Sequence, residues 1–384
     1  MSGPTVYSVS AYGDMITCEP RMSAYAKALR QAVRPGCTVI DLGAGTGIFA
    51  LLACQYGAGR VTAIEPADAI RLLAETAAAN GCAERIDIVQ GLSTRHVPAA
   101  KADVIVSDLR GSLPLFEQHI ATLVDARERL LAPGGQLIPL RDRLQVALVN
   151  HPEGYTACEE PWIRNHHGLD LRAGQRHAVN TWSKVNLQAE QLLSVAAELA
   201  VLDYRTLSDP NMTGRATLQA ERDGTAHGLL LWFDAELAPG IGYSNAPGQP
   251  ALVYGQSFFP FERPLALATG DRVETTVKAS LVDGSYVWSW ISKVFRTGAA
   301  TPELTMRQSS FLAQAISPEK LARRADSHIP VPSEAHAVDQ LCLSLIDGRH
   351  SLGEIADILL QRFPQCFSDR TAALNHIAGL AGRY

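Results

Sequence analysis

The run Val39-Ile40-Asp41-Leu42-Gly43-Ala44-Gly45-Thr46-Gly47 constrains this chain more than any other stretch. An apolar segment enters three glycines at alternate positions, and an amphipathic segment, 48–56, follows at once. This reads as a buried strand, a tight turn where backbone approaches a ligand, and a helix whose N-terminus faces the same ligand. A second strand-like run ends in Glu65, eighteen residues after Gly47 and just before Pro66. A carboxylate there can accept hydrogen bonds from both hydroxyls of a ribose. A dinucleotide fingerprint asks for a third glycine at position 48, which here is Ile48. The GxGxG form therefore favours S-adenosylmethionine (SAM) over NAD. The alternative is a glycine turn that joins strand to helix and holds no ligand. The flanking elements and Glu65 count against it.

Strand-like and helical segments alternate from 37 to about 145, which predicts a parallel sheet with helices on both faces. The predicted strands are CTVIDL, RVTAIE, RIDIVQG, ADVIVSDL and GGQLIPL. The predicted helices are 48–56, 68–80 and 117–131, with another at 20–34 ahead of the first strand. After 146, strand-like runs broken by turn clusters dominate: LQVALVN, LLSVAAELAVLDY, ATLQAERD, GLLLWFDAEL, RVETTVKASLVD and SYVWSWISKVF. These predict an antiparallel barrel or sandwich. The expected order is an N-terminal helical cap at 1–36, a Rossmann-like α/β domain at 37–145 and a β-barrel domain at 146–297. A linker at 298–334, rich in Ala, Pro and Ser, and a small helical C-terminal domain at 335–384 complete it. Ser351 and Glu354 form a capping box for the middle C-terminal helix.

Hydrophobic residues make up 47% of the chain, charged residues 19%, and the net charge is −5 with no basic cluster. No nucleic-acid or anionic-membrane partner is expected, because phosphate binding needs clustered Lys and Arg. The start MSGPTVYSVSAYGD does not read as a signal peptide, and no apolar run approaches the ~20 residues of a membrane-spanning helix. The seven cysteines form no CxxC pair and read as reduced thiols of a cytoplasmic protein. Adjacent His166 and His167 diverge and have no Cys or carboxylate at ligand spacing, so no metal is expected. The five tryptophans read as core or dimer contacts rather than a substrate cage.

The fourth predicted strand runs into Ser107-Asp108-Leu109-Arg110-Gly111, and Glu117 follows nine residues after Asp108. Ligands bind at the carboxyl ends of strands in open α/β sheets. Two carboxylates there suit a cationic group, a guanidinium best of all, whose planar donor fork matches them. The alternative is a turn-capping Asp108 and a Glu117 that begins an exposed helix.

With these residues in place, 7–296 resembles the protein arginine methyltransferase family, whose hallmark is an acidic "double-E" loop, SExxGxxLxxE. Here Ser107, Gly111 and Glu117 keep its register and Asp108 replaces the first Glu. Tyr12-Gly13 and Met15 resemble a segment that closes over the cofactor, and Arg21 stands where the family places an arginine against the SAM carboxylate. Leu131-Ala132-Pro133-Gly134-Gly135 resembles the turn before the last strands of the sheet. His167-Gly168-Leu169-Asp170 falls at the opening of a dimerisation arm near 155–185. The resemblance implies a SAM methyltransferase domain followed by an antiparallel β-barrel, acting as a homodimer on a peptide or guanidino-type nitrogen. It implies cofactor contacts from Arg21, Asp41, Gly43, Gly45, Gly47, Glu65, Pro66 and Ser93. Asp108 and Glu117 become the catalytic pair, binding the acceptor nitrogen group and aiming its lone pair at the SAM methyl. Tyr12, Arg110 and Tyr254 become acceptor contacts, and Tyr7 with Tyr12 either covers the cofactor or packs the first helix.

The chain also departs from the family. Asp108 is one methylene shorter than Glu, a retreat of roughly 1 Å. The family's Thr-His-Trp loop reads Leu252-Val253-Tyr254, so Val253 stands where a histidine is expected. The acidic residue near the adenine amino group appears as Thr94, and Arg110 replaces an apolar residue inside the acidic loop, where it can pair with Asp108 or bind a substrate carboxylate. Two other readings stay open: a small-molecule or oxygen methyltransferase on the same scaffold, and a catalytically silent SAM-binding scaffold. Leu341 to Gly348 and then Ser351-Leu352-Gly353-Glu354-Ile355 resemble the helical half of PqqD-like peptide-recognition domains. That implies a tail gripping a leader peptide in ribosomal natural-product biosynthesis; the alternative is a packing or dimerisation cap.

Overall fold

A computed structural model describes residues 7–164 and 167–382, so His166 lies outside the described residues. These form two compact units, one reaching to Ala315 and one beginning at Ile316. The first unit opens with α1 (Val9–Thr17), capped by the Ser8 hydroxyl, and α2 (Glu19–Ala32) with a proline in its first turn. Five parallel strands follow: β1 (Thr38–Leu42), β2 (Arg60–Glu65), β3 (Ile86–Gln90), β4 (Ala102–Ser107) and β5 (Leu131–Ile138). Their order is β3-β2-β1-β4-β5.

Period-two alternation sends side chains to both faces of this sheet. Val39, Val61, Ala63, Val104 and Val106 pack with residues of α2, α3 (Ile48–Gln55) and α4 (Leu72–Ala79). Ile40, Leu42 and Ile105 pack with Ile120, Leu123 and Ala126 of α5 (His119–Arg129). The strand order reverses at β1, which lies between β2 and β4. In open sheets of this kind ligands bind outside the carboxyl ends of the strands at the switch point, here those of β1 and β4.

The described residues then form ten antiparallel strands. Six are β6 (Arg141–Val149), β7 (Ser183–Val185), β8 (Ala197–Asp203), β10 (Gly224–Ala238), β11 (Ile241–Ser244) and β12 (Gln256–Leu267), ordered β7-β12-β10-β6-β8 with β11 on β10. Four are β9 (Met212–Gln219), β13 (Arg272–Val282), β14 (Ser285–Phe295) and β15 (Leu304–Ser309), ordered β15-β14-β13-β9. The inner faces share one core, in which Leu144, Val146, Leu229, Leu231 and Phe259 meet Val273, Val277, Trp288 and Trp290. Both tryptophan rings lie about 5 Å from that of Phe259, at 5.3 and 5.2 Å. Trp288 and Trp290 are therefore core residues. Between β6 and β7 the chain makes α6 (Pro152–Ile163) and α7 (Gln175–Ala178), on the segment expected to be the arm.

The structure differs from the expected layout in specific places. The stretch 298–334, expected to be a linker, contributes β15, which pairs with β14 from Ser289↔Ser309 to Val294↔Leu304. β7, β11 and β12 were not among the expected strands, and β8 begins at Ala197 rather than at 192.

The second unit contains α8 (Pro318–Ala322), α9 (Glu334–Leu345), α10 (Leu352–Arg362) and α11 (Arg370–Ala381). Val338, Cys342, Ile355, Leu359, Ala373 and Ile377 make its core. The Ser351–Glu354 capping box is present, and Ser333 and Asp369 cap the helices on either side. Its described residues include no strand, so the three strands that a PqqD-like domain adds are not found there. No helix among the described residues is long and apolar enough to cross a membrane.

Candidate active site at the carboxyl ends of β1 and β4

The glycine loop leaves β1 with all three glycines left-handed, at φ +67° for Gly43, +55° for Gly45 and +85° for Gly47. A Cβ would stand 2.2 Å from Leu109 at Gly43, 2.5 Å from the Tyr12 ring at Gly45 and 2.4 Å from Leu73 at Gly47. The left-handed backbone demands glycine, and a Cβ would also push the Leu109, Tyr12 and Leu73 side chains aside. The loop is held by Glu65 at the end of β2: its Oε2 accepts from Gly45 N at 3.0 Å and its Oε1 from Ala67 N at 2.9 Å. Asp41 is fully buried. One oxygen accepts from Ala50 N in the first turn of α3, and Oδ1 has no hydrogen-bond partner. Burial pushes its carboxyl up to about 7.

These features fit the cofactor that the spacing implied. Bare backbone at three left-handed glycines, a carboxylate closing β2 and an unpartnered buried Asp41 oxygen make a polar cradle at the sheet's switch point. Tyr12 covers Gly45 and meets Tyr7 edge-on at 5.9 Å. Burial pushes the Tyr12 phenol up to about 12, helped by the nearby Glu65. Helix α1 has no buried residue, so it lies over the loop as a cover rather than as part of the core. Pro66 is exposed beside Glu65. Ser93 is buried with its carbonyl taken by Arg129 Nη2 at 2.9 Å, and Thr94 is exposed.

The acidic loop is anchored where β4 ends. Ser107 Oγ donates to Leu42 O on β1, and Ser107 O accepts from Tyr25 OH on α2. Asp108 follows with a side chain only 4% exposed. Its Oδ2 accepts from Arg21 Nε at 2.6 Å and from Tyr254 OH at 2.5 Å, and its Oδ1 accepts from Arg110 Nη1 at 3.1 Å. Burial alone would raise this carboxyl. Arg21, Arg110 and the Tyr254 hydroxyl outweigh it and hold Asp108 below the usual carboxylate range. Arg21 is further fixed by Met15 O at 3.1 Å.

Glu117 is half-buried and left-handed at φ 42°, unusual for a residue with a Cβ. Burial raises the Tyr7 phenol first, and the charges of the nearby Glu117 and Asp108 add to that. The structure therefore brings together Tyr7, Tyr12, Arg21, Glu65, Asp108 and Glu117. Two expected acceptor contacts are corrected. Arg110 is enclosed, with Nε and Nη2 on Asp142 at 2.8 and 2.9 Å and Nη1 on Tyr25 OH at 2.7 Å. It pairs with Asp108 and has no exposed donor for a substrate carboxylate. Tyr254 is buried behind Asp108, bonded also to Arg21 and Tyr243, and so orients the carboxylate rather than lining the open site.

The sequence reading missed Tyr25, Asp142, Tyr204, Tyr243 and His119. Tyr204 OH donates to Asp142 Oδ2 at 2.5 Å and lies 3.1 Å from His119 Nε2. Burial, then the charge of Arg110, pushes His119 down to about 3, so it is neutral at any working pH. Val253, at the position expected to hold histidine, is half-buried in the same cluster as Tyr254.

Comparison with known proteins gives this geometry its context. The family described as ribosomal protein L11 methyltransferase matches residues 23–139, and the arginine methyltransferase oligomerization subdomain matches 147–284. The arginine N(omega)-methyltransferase of Streptomyces achromogenes subsp. streptozoticus is 30% identical over 268 residues, covering 67% of this chain and 72% of that protein. The probable protein arginine N-methyltransferase 6 of Arabidopsis thaliana is 28% identical over 259 residues. The chain spans 59% of that relative's length and 62% of protein arginine N-methyltransferase 1 of Oryza sativa subsp. indica. Among solved structures, the Trypanosoma brucei PRMT1 enzyme-prozyme heterotetrameric complex with AdoHcy superposes with a TM-score of 0.72 at 21% identity, covering 79% of this chain and 98% of that one. Arabidopsis thaliana protein arginine methyltransferase 10 gives 0.70 at 20% identity, with the same coverage. The chain therefore belongs to the arginine methyltransferase family.

Proposed function

We propose that this protein is a SAM-dependent methyltransferase that transfers a methyl group to a guanidinium nitrogen. The observation that carries the reading is the 2.6 Å pair between Arg21 and Asp108, which ties the acidic loop to the cofactor cradle at the switch point. Gly43, Gly45 and Gly47 with Glu65 and Asp41 would hold the cofactor, and Arg21 would face its carboxylate. When bound, SAM supplies an electrophilic methyl on a positive sulfonium. Asp108 and Glu117 accept hydrogen bonds from the acceptor's planar donor fork and orient one nitrogen in line with the methyl–sulfur bond. The carboxylates also offset the cation's charge in a water-poor site, where such contacts count most. After transfer the acceptor loses one proton and keeps a charge of +1, so the same carboxylates hold the product. Tyr12 and α1 exclude water from above the loop.

A peptide acceptor in natural-product biosynthesis is the finer form of this proposal, with residues 316–384 gripping the peptide. Three capped helices on a common core support a separately folded recognition unit. If deletion of 316–384 leaves peptide KM unchanged, that role is excluded. We also assign homodimerisation to the segment of α6 and α7, where Trp162, Ile163, Leu169 and Leu171 expose apolar surface. The function is tested by transfer of labelled methyl to L-arginine and to an arginine-containing peptide. Transfer to an oxygen acceptor alone, or cofactor binding without any transfer, would refute it.

A further inference from the structure

Arg110 places a full positive charge inside the acidic loop, two residues from the carboxylate that the proposed function assigns to the acceptor. Unopposed, it would cancel that carboxylate. The barrel opposes it. Asp142, the second residue of β6, meets Nε and Nη2 of Arg110 fork to fork at 2.8 and 2.9 Å, whereas Asp108 receives one contact from Nη1 at 3.1 Å. The Arg110 and Asp142 side chains are both 0% exposed. Tyr204 OH fixes Asp142 from behind at 2.5 Å, and the neutral His119 beyond it adds no charge.

Arg21 is the main partner of Asp108, and Arg110 is matched by Asp142, so only one of the two arginines beside Asp108 draws fully on its charge. In a buried site such charges are weakly screened, so which anion holds Arg110 decides the field at the acceptor position.

We infer that Asp142 is a positioning residue that limits Arg110 to a single contact with Asp108 and so makes the site prefer a cationic guanidinium over a neutral acceptor. This rests on the proposed function for the identity of the acceptor, but the movement of Arg110 does not. Asp142→Asn keeps the shape and removes the charge. With it, Arg110 turns and pairs fork to fork with Asp108.

The experiment uses the full chain in four forms: wild type, Asp142→Asn, Arg110→Met, and Arg110→Met with Asp142→Asn. L-arginine is the substrate and its neutral isostere L-citrulline the competitor. Asp142→Asn is expected to raise KM for arginine by about 10-fold or more with a smaller change in kcat, and to narrow the preference for arginine over citrulline by about the same factor. The double variant, which buries neither charge, is expected to recover most of the preference; it also serves where the single variant fails to fold. A double variant no more selective than Asp142→Asn, or a single variant with unchanged KM, overturns the inference. If the wild type methylates no guanidinium, the proposed function fails, and a crystal structure of Asp142→Asn decides the rest. Arg110 seated on Asp108 supports the charge-holding role; Arg110 still seated on Asn at position 142 overturns it.

Discussion

Arg21 Nε lies 2.6 Å from Asp108 Oδ2, with the two side chains only 7% and 4% exposed. One residue belongs to the helix before the sheet, the other to the loop after β4, and the contact spans 87 positions of sequence. A charge shared across that contact couples the cofactor cradle to the acceptor loop. Arg21→Ala should therefore weaken S-adenosylhomocysteine binding by about 10-fold or more and also lower kcat, because it leaves Asp108 short of a partner in a buried site. Calorimetry and steady-state kinetics on the same variant check both. A loss of affinity with kcat intact would mean the two sites are independent.

Tyr254→Phe removes the hydroxyl that donates to Asp108 Oδ2 and keeps the ring that stacks on Tyr243. A hydrogen bond to a charged group contributes about 1.5–3 kcal/mol, so kcat should fall by about 10-fold or more and the melting temperature should drop by a few degrees. Unchanged kinetics would show that Arg21 and Arg110 alone position the carboxylate.

At Gly45 a methyl group meets both a left-handed backbone at φ +55° and the Tyr12 ring. Gly45→Ala should abolish measurable cofactor binding and cost roughly 1–3 kcal/mol of stability. Adding Tyr12→Ala should restore part of the stability, by removing the clash, but not the binding. Full recovery of binding in the double variant would contradict the placement of the loop.

His119 titrates near 6.5 when unfolded and at about 3 in the folded protein. Between those values the unfolded chain binds the extra proton, so stability falls as pH drops from 6.5 towards 3, by up to about 1.4 kcal/mol per pH unit. Asp41 acts with the opposite sign: its folded pKa of about 7 exceeds the unfolded 3.8, and the stability it contributes is lost as pH rises through 7. Denaturation of wild type and His119→Gln at pH 7.5, 6 and 5 separates them. The variant should show a shallower acid slope; equal slopes would mean that His119 is not buried neutral.

Leu169 and Trp162 stand 60% and 39% exposed on the segment assigned to dimerisation. Replacing both by Glu should give a monomer in sedimentation at micromolar concentration, with the barrel still folded. A dimer that persists would place the interface elsewhere.

The parallel sheet was legible because its strands are short apolar runs and its loop needs glycine at three fixed positions. The second half was less so. β12 contains Pro260 and Pro264, which argue against a strand, yet β7 pairs it only from Gln256 to Phe258, and both prolines lie beyond that pairing. β15 was read as linker because 298–334 is rich in Ala, Pro and Ser, and one of the strand's buried positions holds Gln308 rather than an apolar residue. There it accepts from Trp290 Nε1 at 3.0 Å and donates to Pro260 O, so a polar residue does the work of an apolar one. At the site, Asp108 and Glu117 were marked by their place after β4 together with the resemblance of their loop to the family's acidic loop. Asp142 and Tyr204 were not, since a buried charge finds its partner through the fold and leaves no local pattern. Arg110 was noticed for its charge, but its direction was set by a barrel residue 32 positions away.

In the proposed reaction Asp108 and Glu117 hold a guanidinium for methyl transfer. This role is tested most directly by following labelled methyl from SAM to L-arginine or an arginine peptide in wild type, Asp108→Asn and Glu117→Gln, with S-adenosylhomocysteine binding measured on each. Wild type should transfer methyl to a guanidinium nitrogen, and each variant that still binds the product cofactor should lose about 100-fold or more in kcat/KM. Transfer at the wild-type rate by either variant would contradict it.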